Sequence, residues 1–293
     1  MDFIKQFSDY TEKIEEYLDD VVPLADNYQS EIYEAMRYSL LSGGKRIRPV
    51  LCMAVCDMLG GSLSEPTVIG SAIECIHTYS LIHDDLPCMD NDDFRRGKPT
   101  NHKVYGETTA LLAGDGLLNK AFEIIGNADV PDDKKILCLM NISTASGVDG
   151  MIGGQVIDLK NEKNADVSVE ELKTMHSLKT GALIDTAAYC GAVLGGATET
   201  EITAIKEFSS ALGLAFQVKD DILDYTGNEE LLGKPVGSDA ENEKVTFVTL
   251  FGIEKSEEIL NELTEKAKSA LDIFGDKAEF LLEFADFLLE RSY

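Results

Sequence analysis

Proline is nearly absent from this chain, and its distribution restricts the fold more than any other feature of the sequence. Only seven prolines occur among 293 residues, and none lies between Pro131 and Pro235. Because proline interrupts helices, so long a stretch without it favours a succession of helices. Apolar residues between Ile259 and Phe274 also recur at steps of three and four, which is the period of a helix with one buried face.

Helix starts and stops are marked along the chain. Ser168 with Glu171, and Thr198 with Glu201, have the spacing of a capping box at a helix start. Glycines that mark helix ends are Gly60–Gly61, Gly195–Gly196 and Gly275. No convincing alternating strand pattern and no fixed-period repeat is evident. The sequence predicts an all-α fold of roughly ten or more helices, in a single domain that spans residues 1–293.

Charge and cysteine usage limit the partners and the compartment. The formal charge of −27 argues against nucleic acid as a binding partner. The same charge would repel a diphosphate ligand, unless metal ions and a basic patch offset it. The six cysteines are scattered through apolar helical segments, which predicts reduced thiols in a cytoplasmic protein. We see no signal peptide. The apolar stretch 181–197 contains Asp185, so we interpret it as a helix inside a bundle and predict no membrane span.

Two clusters of aspartates each follow a long apolar segment with helical pattern. Their members are Asp84, Asp85 and Asp90 in the first cluster, and Asp220, Asp221 and Asp224 in the second. Carboxylates crowded this closely repel one another unless they share cations, and such hard oxygen ligands select Mg²⁺ or a similar ion. One cluster alone is typical of a solvated helix end, whereas two clusters favour a metal site. An EF-hand is excluded because Phe94 and Arg95 stand where an acidic ligand and a glycine are required.

The spacing within each cluster predicts its local geometry. We expect the helix before the first cluster to start near Ala72 and to end at Asp84 and Asp85. Pro87 disfavours helix at the preceding residue and bends the chain, so Asp90 can fold back toward Asp84. In the second cluster the outer aspartates are four residues apart, and therefore lie about 40° apart on one helix face.

Basic residues accompany both clusters. The segment 43–49, Gly-Gly-Lys-Arg-Ile-Arg-Pro, has two permissive glycines and three cations before a proline suited to the first turn of a helix. This pattern resembles an anion site at a helix N-terminus. Other cations near the clusters are Arg95, Arg96, Lys179, Lys234 and Lys244. Lone cations are usually surface residues, so these matter only if they converge on one cavity. His77 shares a helix face with Asp84, although a lone histidine on an apolar helix is usually a core residue.

The segment 227–242 differs from the rest of the chain. It contains Gly227, Gly233, Pro235 and Gly237 among acidic residues, directly after the second cluster. We interpret it as a loop, and two interpretations stay open: a lid over a site, or a plain surface connection.

These motifs together resemble the trans-isoprenyl diphosphate synthases. The matching segments, found from about residue 40 to Arg291, are DDLPCMDNDDFRRG, FQVKDDILD, GGKRIRP, IECIHTYSLIHDD, LAGD, GGQVIDL and LKTGALI. The likeness is greatest to the bacterial farnesyl diphosphate synthases, with plant and bacterial geranylgeranyl synthases close behind. The resemblance implies an all-α barrel of helices around a deep central cavity, usually assembled as a homodimer.

The resemblance also implies a role for each matching residue. Three Mg²⁺ ions on the diphosphate of an allylic substrate would be held by Asp84, Asp85, Asp90, Asp220, Asp221 and Asp224. Contacts to that diphosphate or to the forming cation are implied for Arg95, Lys179, Thr180, Gln217, Lys234 and Lys244. The isopentenyl diphosphate site is implied for Lys45, Arg48, His77 and Arg96. Arg291 is similar to a basic tail residue that closes over the site, although no lysine follows it here.

The implied reaction follows from charge. Mg²⁺, lysine and arginine stabilise the diphosphate that leaves when the allylic C–O bond breaks. The isopentenyl double bond then attacks the allylic cation in an apolar cavity that excludes water, and the released diphosphate accepts the proton. Thr180 and Gln217 would lend hydrogen bonds to the transition state.

Residues just before the first cluster bear on product length. Ser80 lies one turn before Asp84 and is small, so Tyr79 beside it is the bulky residue placed to form a cavity floor. Without the resemblance, Tyr79 would be interpreted as packing between helices. With it, an aromatic residue here predicts farnesyl diphosphate, and geranylgeranyl diphosphate is the alternative product.

Two other classes of protein are alternatives to this interpretation: a terpene cyclase and a non-catalytic regulatory subunit. A terpene cyclase usually pairs an aspartate-rich motif with an Asn/Ser/Glu-type second motif, and the sequence DDILD argues against that. A non-catalytic regulatory subunit could lose motif residues, whereas this chain keeps all those that can be matched.

Overall fold

The computed structural model describes residues 2–161, 166–226 and 245–289, and within these ranges the chain is almost entirely helical. The described α-helices are α1 Phe3–Val21, α2 Ser30–Leu40, α3 Ile47–Met58, α4 Ser64–Asp84, α5 Asn101–Tyr105, α6 Glu107–Asn127, α7 Asp132–Ser146, α8 Met151–Asn161, α9 Val169–His176, α10 Ala182–Gly195, α11 Glu199–Thr226, α12 Phe247–Phe251, α13 Ile253–Ala270 and α14 Glu279–Leu289. A π-helical turn, Ser177–Gly181, joins α9 to α10, and a 3₁₀ turn, Asp272–Ala278, precedes α14. The all-α prediction is confirmed.

Both predicted capping boxes mark real helix starts. The Ser168 hydroxyl accepts a hydrogen bond from the Glu171 N–H at 3.2 Å. The Glu201 carboxylate accepts one from the Thr198 N–H at 2.8 Å. Each bond satisfies a backbone donor that the first turn of a helix leaves without a partner.

Three local predictions need correction. Helix α4 begins at Ser64, well before Ala72, because Pro66 falls in the first turn, where its missing N–H costs no hydrogen bond. Gly275 does not end α13, which stops at Ala270; its φ of 55° marks a break before α14. A two-stranded hairpin, β1 Phe94–Arg95 and β2 Lys98–Pro99, was not predicted. Its turn residues, Arg96 and Gly97, both have positive φ, which suits a tight hairpin turn. Each strand has only two residues, so the sequence shows no alternating pattern there.

Helix α10 lies at the centre of the molecule. It packs on α3, α4, α7 and α11, and most of its side chains from Leu183 to Leu194 are buried. The interpretation of residues 181–197 as an internal helix is therefore confirmed. Cys52 and Cys56 of α3 are fully buried, as core packing predicts. Because α4 and α11 both pack on α10, the helices that carry the two aspartate clusters are held in one rigid core.

Among the described residues, one stretch, Asp132–Asn161, is long and apolar enough to cross a membrane by length and composition alone, and 28% of its apolar 18-residue window is buried. It consists of α7 and α8, which are separated by a turn at residues 147–150. A single stretch of this kind is weak evidence for a membrane span, because helices of soluble proteins pass the same test.

Candidate active site

The first aspartate cluster forms at the carboxyl end of α4. The Asp90 N–H donates to the Asp84 carbonyl at 2.9 Å, so the chain folds back here as predicted. Burial raises the pKa of the Asp84 side chain to about 6. The charge of Lys179 opposes this shift, and the charge of Asp90 adds to it. Asp84 therefore lies in a partly desolvated position between carboxylates and a cation.

Asp85 has a different environment from its neighbours. Arg95 on β1 contacts Asp85 Oδ1 with Nε at 2.7 Å and with Nη2 at 2.6 Å. Burial raises the pKa of Asp85, and the hydrogen bonds from Arg95 oppose that shift. Asp85 is thus already paired with a cation inside the protein, whereas Asp90 is exposed. The three aspartates of the cluster are not equivalent.

The second cluster lies near the end of α11. Asp220 Oδ2 accepts a hydrogen bond from Gln217 Nε2 at 3.2 Å. Asp221 Oδ2 accepts one from the Phe247 N–H at 2.7 Å, which fixes the start of α12 against α11. Asp221 and Asp224 are both buried, and Asp220 is partly exposed. As in the first cluster, the middle aspartate has a partner within the protein: a side chain for Asp85 and a backbone N–H for Asp221.

Lys179 and Thr180 lie in the π-helical turn between α9 and α10. Lys179 Nζ is 2.6 Å from Asp158 Oδ2 on α8. A Cβ on Gly154 would lie 2.2 Å from the Lys179 backbone nitrogen, so only glycine allows α8 this close. Sequence reasoning missed Asp158, although it belongs to the GGQVIDL segment. Turns of the π type are frequent at functional sites because they reorient successive side chains.

His176, which sequence reasoning also missed, connects this turn to the second cluster. Its Nδ1 lies 3.1 Å from Gln217 Oε1, and its ring stacks on Phe247 with centroids 5.8 Å apart. Burial lowers the pKa of His176 to about 4, and the hydrogen bond with Gln217 opposes that shift. In the sequence, nothing in the residues around His176 distinguished it as part of the site.

The cationic side chains of the segment 43–49 do not share one environment. Arg46 adopts a left-handed backbone conformation, with φ of 47°, and its side chain is fully buried. Its Nη1 lies 2.8 Å from Glu74 Oε1, its Nε 2.5 Å from Glu15 Oε1, and its Nη2 donates to the Leu40 carbonyl. Every guanidinium nitrogen of Arg46 is therefore used inside the fold.

Arg95 and Lys179 form one cationic group of the site, and Arg48 and Arg96, with the imidazole of His77, form a second group beside Arg46. The Arg48 Nε is buried, and no described residue provides a hydrogen-bond partner for it. Burial lowers the Arg48 pKa, Glu74 opposes this, and Arg96 lowers it further. Burial, followed by the charges of Arg48 and Arg96, holds the His77 pKa well below its usual range. Two arginines this close together, one with a buried N–H that has no partner among the described residues, make a favourable place for an anion.

Gly44 allows Arg96 to join this group. Arg96 donates to the Gly43 carbonyl, and a Cβ on Gly44 would lie 2.7 Å from the Arg96 guanidinium. Gly44 itself has a φ of 133°, which side chains rarely adopt. The glycine pair in the segment therefore serves both the turn and the approach of Arg96.

The electrostatic couplings connect these groups into one region. Asp84 is perturbed by Lys179, and Arg48 by Asp220, so α3, α4, α11 and the π-helical turn all contribute. Lys45 lies beside Arg46 and is partly exposed. Other predicted residues, together with the segment 227–242, lie outside the described residues: Lys234, Lys244 and Arg291.

Tyr79 is buried on the side of α4 that faces α6. Its ring lies edge-on to that of His83, with centroids 5.6 Å apart. His83 Nε2 is 3.0 Å from the Leu111 carbonyl, and a Cβ on Gly114 would lie 2.1 Å from the same nitrogen. Ser80 donates to the His77 carbonyl at 2.8 Å. Tyr79 is therefore held firmly, and no described residue hydrogen-bonds its hydroxyl group.

The donor chemistry of the clusters fits Mg²⁺. Within the described ranges, no three acidic, histidine or cysteine side chains lie close enough to form a ready-made metal site. Mg²⁺ does not require one, since it usually keeps several waters and is bound through one or two carboxylates plus substrate phosphates. Burial raises the pKa of Asp84, and the charges of Asp90 and Asp85 raise it further, so an added cation would be favourable at this position.

Comparison with known proteins agrees with this geometry. Residues 29–278 match the family described as Polyprenyl synthetase. The chloroplastic geranylgeranyl pyrophosphate synthase of Capsicum annuum is 49% identical over 89% of this chain and 71% of its own length. The farnesyl diphosphate synthase of Bacillus subtilis is 42% identical over 98% of this chain and 94% of its own. An FPP/GFPP synthase of Zymomonas mobilis superimposes with a TM-score of 0.88, at 35% identity and 98% coverage of both chains. The chain therefore belongs to the polyprenyl synthetase family, the trans-prenyl synthases.

Proposed function

We propose that this protein is a Mg²⁺-dependent prenyltransferase that condenses isopentenyl diphosphate with dimethylallyl or geranyl diphosphate to give farnesyl diphosphate. One observation carries the proposal: two aspartate clusters and two separate cationic groups are coupled in one region, as the Asp84–Lys179 and Arg48–Asp220 interactions indicate. A reaction that joins two diphosphate substrates needs an anion site for each of them.

The metal ions would be held by the two clusters. Asp84, Asp90 and Asp220 are partly or fully exposed, which suits direct ligands. Asp85 and Asp221 have partners within the protein, so we propose that they hold the cluster geometry as well as adding negative charge. Asp224 completes the second cluster. Bound Mg²⁺ would neutralise the diphosphate and stabilise its charge as the allylic C–O bond breaks.

The two cationic groups would divide the two substrates between them. The allylic diphosphate would be bound by Arg95, Lys179, Thr180, Gln217, Lys234 and Lys244. The isopentenyl diphosphate would be bound by Lys45, Arg48, His77 and Arg96. The Arg48 Nε supports this division, because it has no partner among the described residues, and a buried cationic donor without one is costly unless a ligand supplies it.

The order of events follows from the chain's own groups. Arg95 and Lys179 hold the leaving diphosphate, while Arg48 and His77 orient the isopentenyl substrate so that its double bond faces the allylic carbon. Apolar side chains of the helical core exclude water from the cation. The proton released in the last step passes to the departing diphosphate, because no described carboxylate or histidine has an obvious role as a strong base.

We propose farnesyl diphosphate as the product because Tyr79 is a rigid aromatic side chain five residues before Asp84. His83 packs against its ring and is itself held against α6 at Gly114, so a growing prenyl tail would meet a fixed obstacle at Tyr79. Geranylgeranyl diphosphate is the alternative product, and the 49% identity to the Capsicum annuum synthase favours it.

We also propose that two copies of the chain pair through α6, α7 and α8. These helices and the turn between α7 and α8 expose large apolar side chains: Leu111, Leu112, Ile136, Leu137, Met140, Val148, Ile152 and Val156. Exposed apolar surface of this kind supports a protein–protein interaction site on these helices. Sedimentation should show a dimer, and Met140→Glu with Leu112→Glu should give monomers. A monomeric wild-type protein at assay concentration would refute the pairing.

A single assay tests the proposed reaction. Isopentenyl diphosphate is incubated with dimethylallyl diphosphate and Mg²⁺, and the products are separated by chain length. We expect a fifteen-carbon product that disappears after exhaustive chelation and returns when Mg²⁺ is restored. Undiminished turnover after chelation would refute the metal dependence, and the absence of any elongated product would refute the reaction.

A further inference from the structure

The orientation of the Gln217 amide is fixed from both of its ends. Its Nε2 lies 3.2 Å from Asp220 Oδ2, and its Oε1 lies 3.1 Å from His176 Nδ1. An ionised carboxylate only accepts hydrogen bonds, so the amide nitrogen must be the end that faces Asp220. The amide oxygen then faces His176, and it follows that Nδ1 carries the hydrogen and donates it.

The His176 ring cannot easily move away from this position. It is 7% exposed and stacks on Phe247, with an angle of 20° between the ring planes. The Phe247 N–H donates to Asp221 Oδ2 at 2.7 Å, so the stacking partner is itself tied to the second cluster. One ring therefore relates the end of α9 to α11 and α12.

The other nitrogen of the His176 ring, Nε2, does not stabilise the described part of the fold by a hydrogen bond. His176 Nε2 is buried and finds no hydrogen-bond partner among the described residues; Asp221 Oδ2 is 3.9 Å away, which is too far for a hydrogen bond. Burying a polar atom without a partner costs stability. A phenylalanine would keep the stacking without that cost, so packing alone does not explain a histidine here.

We infer that His176 is a positioning residue, which holds the Gln217 amide with its nitrogen toward Asp220 through the Nδ1–H hydrogen bond. The inference rests on the proposed function, in which Gln217 and Asp220 contact the allylic diphosphate and its metal ions. Without the His176 donor, Asp220 alone among the described residues would hold the amide, by its nitrogen end, so the amide would be less well fixed than when both ends are held. An amide that turns its oxygen toward Asp220 is repelled by the carboxylate, and one that swings away loses the donor that is aimed at the substrate.

Two variants separate the hydrogen bond from the packing of the ring. His176→Phe keeps the flat ring and its contact with Phe247 but removes the Nδ1 donor. His176→Asn loses the ring but keeps an N–H donor close to the Nδ1 position. We expect His176→Phe to lower kcat by about 10- to 100-fold, as the loss of an outer support around a site commonly does. We expect His176→Asn to recover most of that loss, with the KM for isopentenyl diphosphate unchanged in both.

A double-mutant cycle tests whether His176 acts through Gln217. Gln217→Met removes the amide, so adding His176→Phe to that variant should lower kcat no further. Thr174→Ala, an exposed change two residues away on α9, is the matched control and should behave as wild type. Thermal unfolding of each variant checks that the fold is intact.

A binding measurement gives a readout besides activity. Calorimetry with inorganic pyrophosphate and Mg²⁺ should show weaker binding to His176→Phe than to wild type, and recovery in His176→Asn. Wild-type kcat and affinity in His176→Phe would overturn the inference, as would an asparagine variant no better than phenylalanine. If wild type makes no prenyl product at all, the proposed function fails instead, and the pyrophosphate comparison still decides the role of His176.

Discussion

The guanidinium of Arg46 lies 2.8 Å from the carboxylate of Glu74, and neither side chain is more than 2% exposed. The pair connects the start of α3 to the middle of α4, one turn before His77. Because its guanidinium is used inside the fold, Arg46 is not available to bind a ligand. Lys45 and Arg48 lie on either side of this fixed residue in the chain. Because Arg46 has a left-handed conformation, this contact also holds the segment 43–49 in shape.

We expect Arg46→Met to lower the free energy of unfolding by about 3–5 kcal/mol, because Glu74 would remain as a buried charge without its partner. The double variant Arg46→Met with Glu74→Met should recover most of that loss, since Glu74 is then no longer left as a buried charge without its partner. Urea unfolding measures both. A loss below about 1 kcal/mol in the single variant would mean that water reaches Glu74 and that the pair is not truly buried.

Arg48→Ala should raise the KM for isopentenyl diphosphate more than the KM for the allylic substrate. The reason is that the Arg48 Nε has no hydrogen-bond partner among the described residues, so its loss affects the ligand rather than the fold. Lys179→Ala should do the reverse. Lys255→Ala, at an exposed ion pair on α13, is the control for loss of one positive charge. Equal weakening of one substrate by both variants would show that the division of the cationic groups is wrong.

Tyr79→Ala should lengthen the product to geranylgeranyl diphosphate or beyond, because it removes the side chain that would block the growing tail. Tyr79→Phe is the matched control: it keeps the ring and removes a hydroxyl that no described residue binds, so product length should not change. Chromatography of the products decides the matter. Mainly twenty-carbon product from wild type, or unchanged products from Tyr79→Ala, would place the floor of the cavity elsewhere.

Asp185→Asn should stabilise the protein at neutral pH. Burial raises the pKa of Asp185, and the hydrogen bonds from Ser209 and Ser210 oppose that shift without cancelling it. The fold thus favours the neutral carboxyl, and wild type loses stability as pH rises from the unfolded pKa through the folded one. The gain from asparagine should therefore be present at pH 7.5 and small near pH 4. Thermal unfolding at both values checks this, and an equal gain at both would contradict it.

Local sequence signals predicted the local features of this site. Pro87 predicted the bend that brings Asp90 back to Asp84, and the capping boxes at Ser168 and Thr198 mark real helix starts. Such features depend on residues a few positions apart, whose backbone preferences can be read directly.

Pairs that join distant segments could not be predicted in the same way. Arg46 has the same charge as Lys45 and Arg48, and only its contacts with Glu15 and Glu74 set it apart. Lys179 likewise meets Asp158 because Gly154 allows two helices to approach. His176 is distinguished by a bond to Gln217, which lies forty-one residues along the chain. These contacts follow from tertiary packing, which no local spacing specifies.

The most direct test of the central claim is the turnover of Asp84→Ala and Asp220→Ala with isopentenyl and dimethylallyl diphosphates in the presence of Mg²⁺. If the two clusters together hold the metal ions on the allylic diphosphate, each variant should lose ~10²-fold or more in kcat, the scale of one preorganised electrostatic stabiliser. Asp132→Ala, at an exposed position on α7, should keep wild-type turnover. A loss of only a few-fold in either cluster variant would contradict the account.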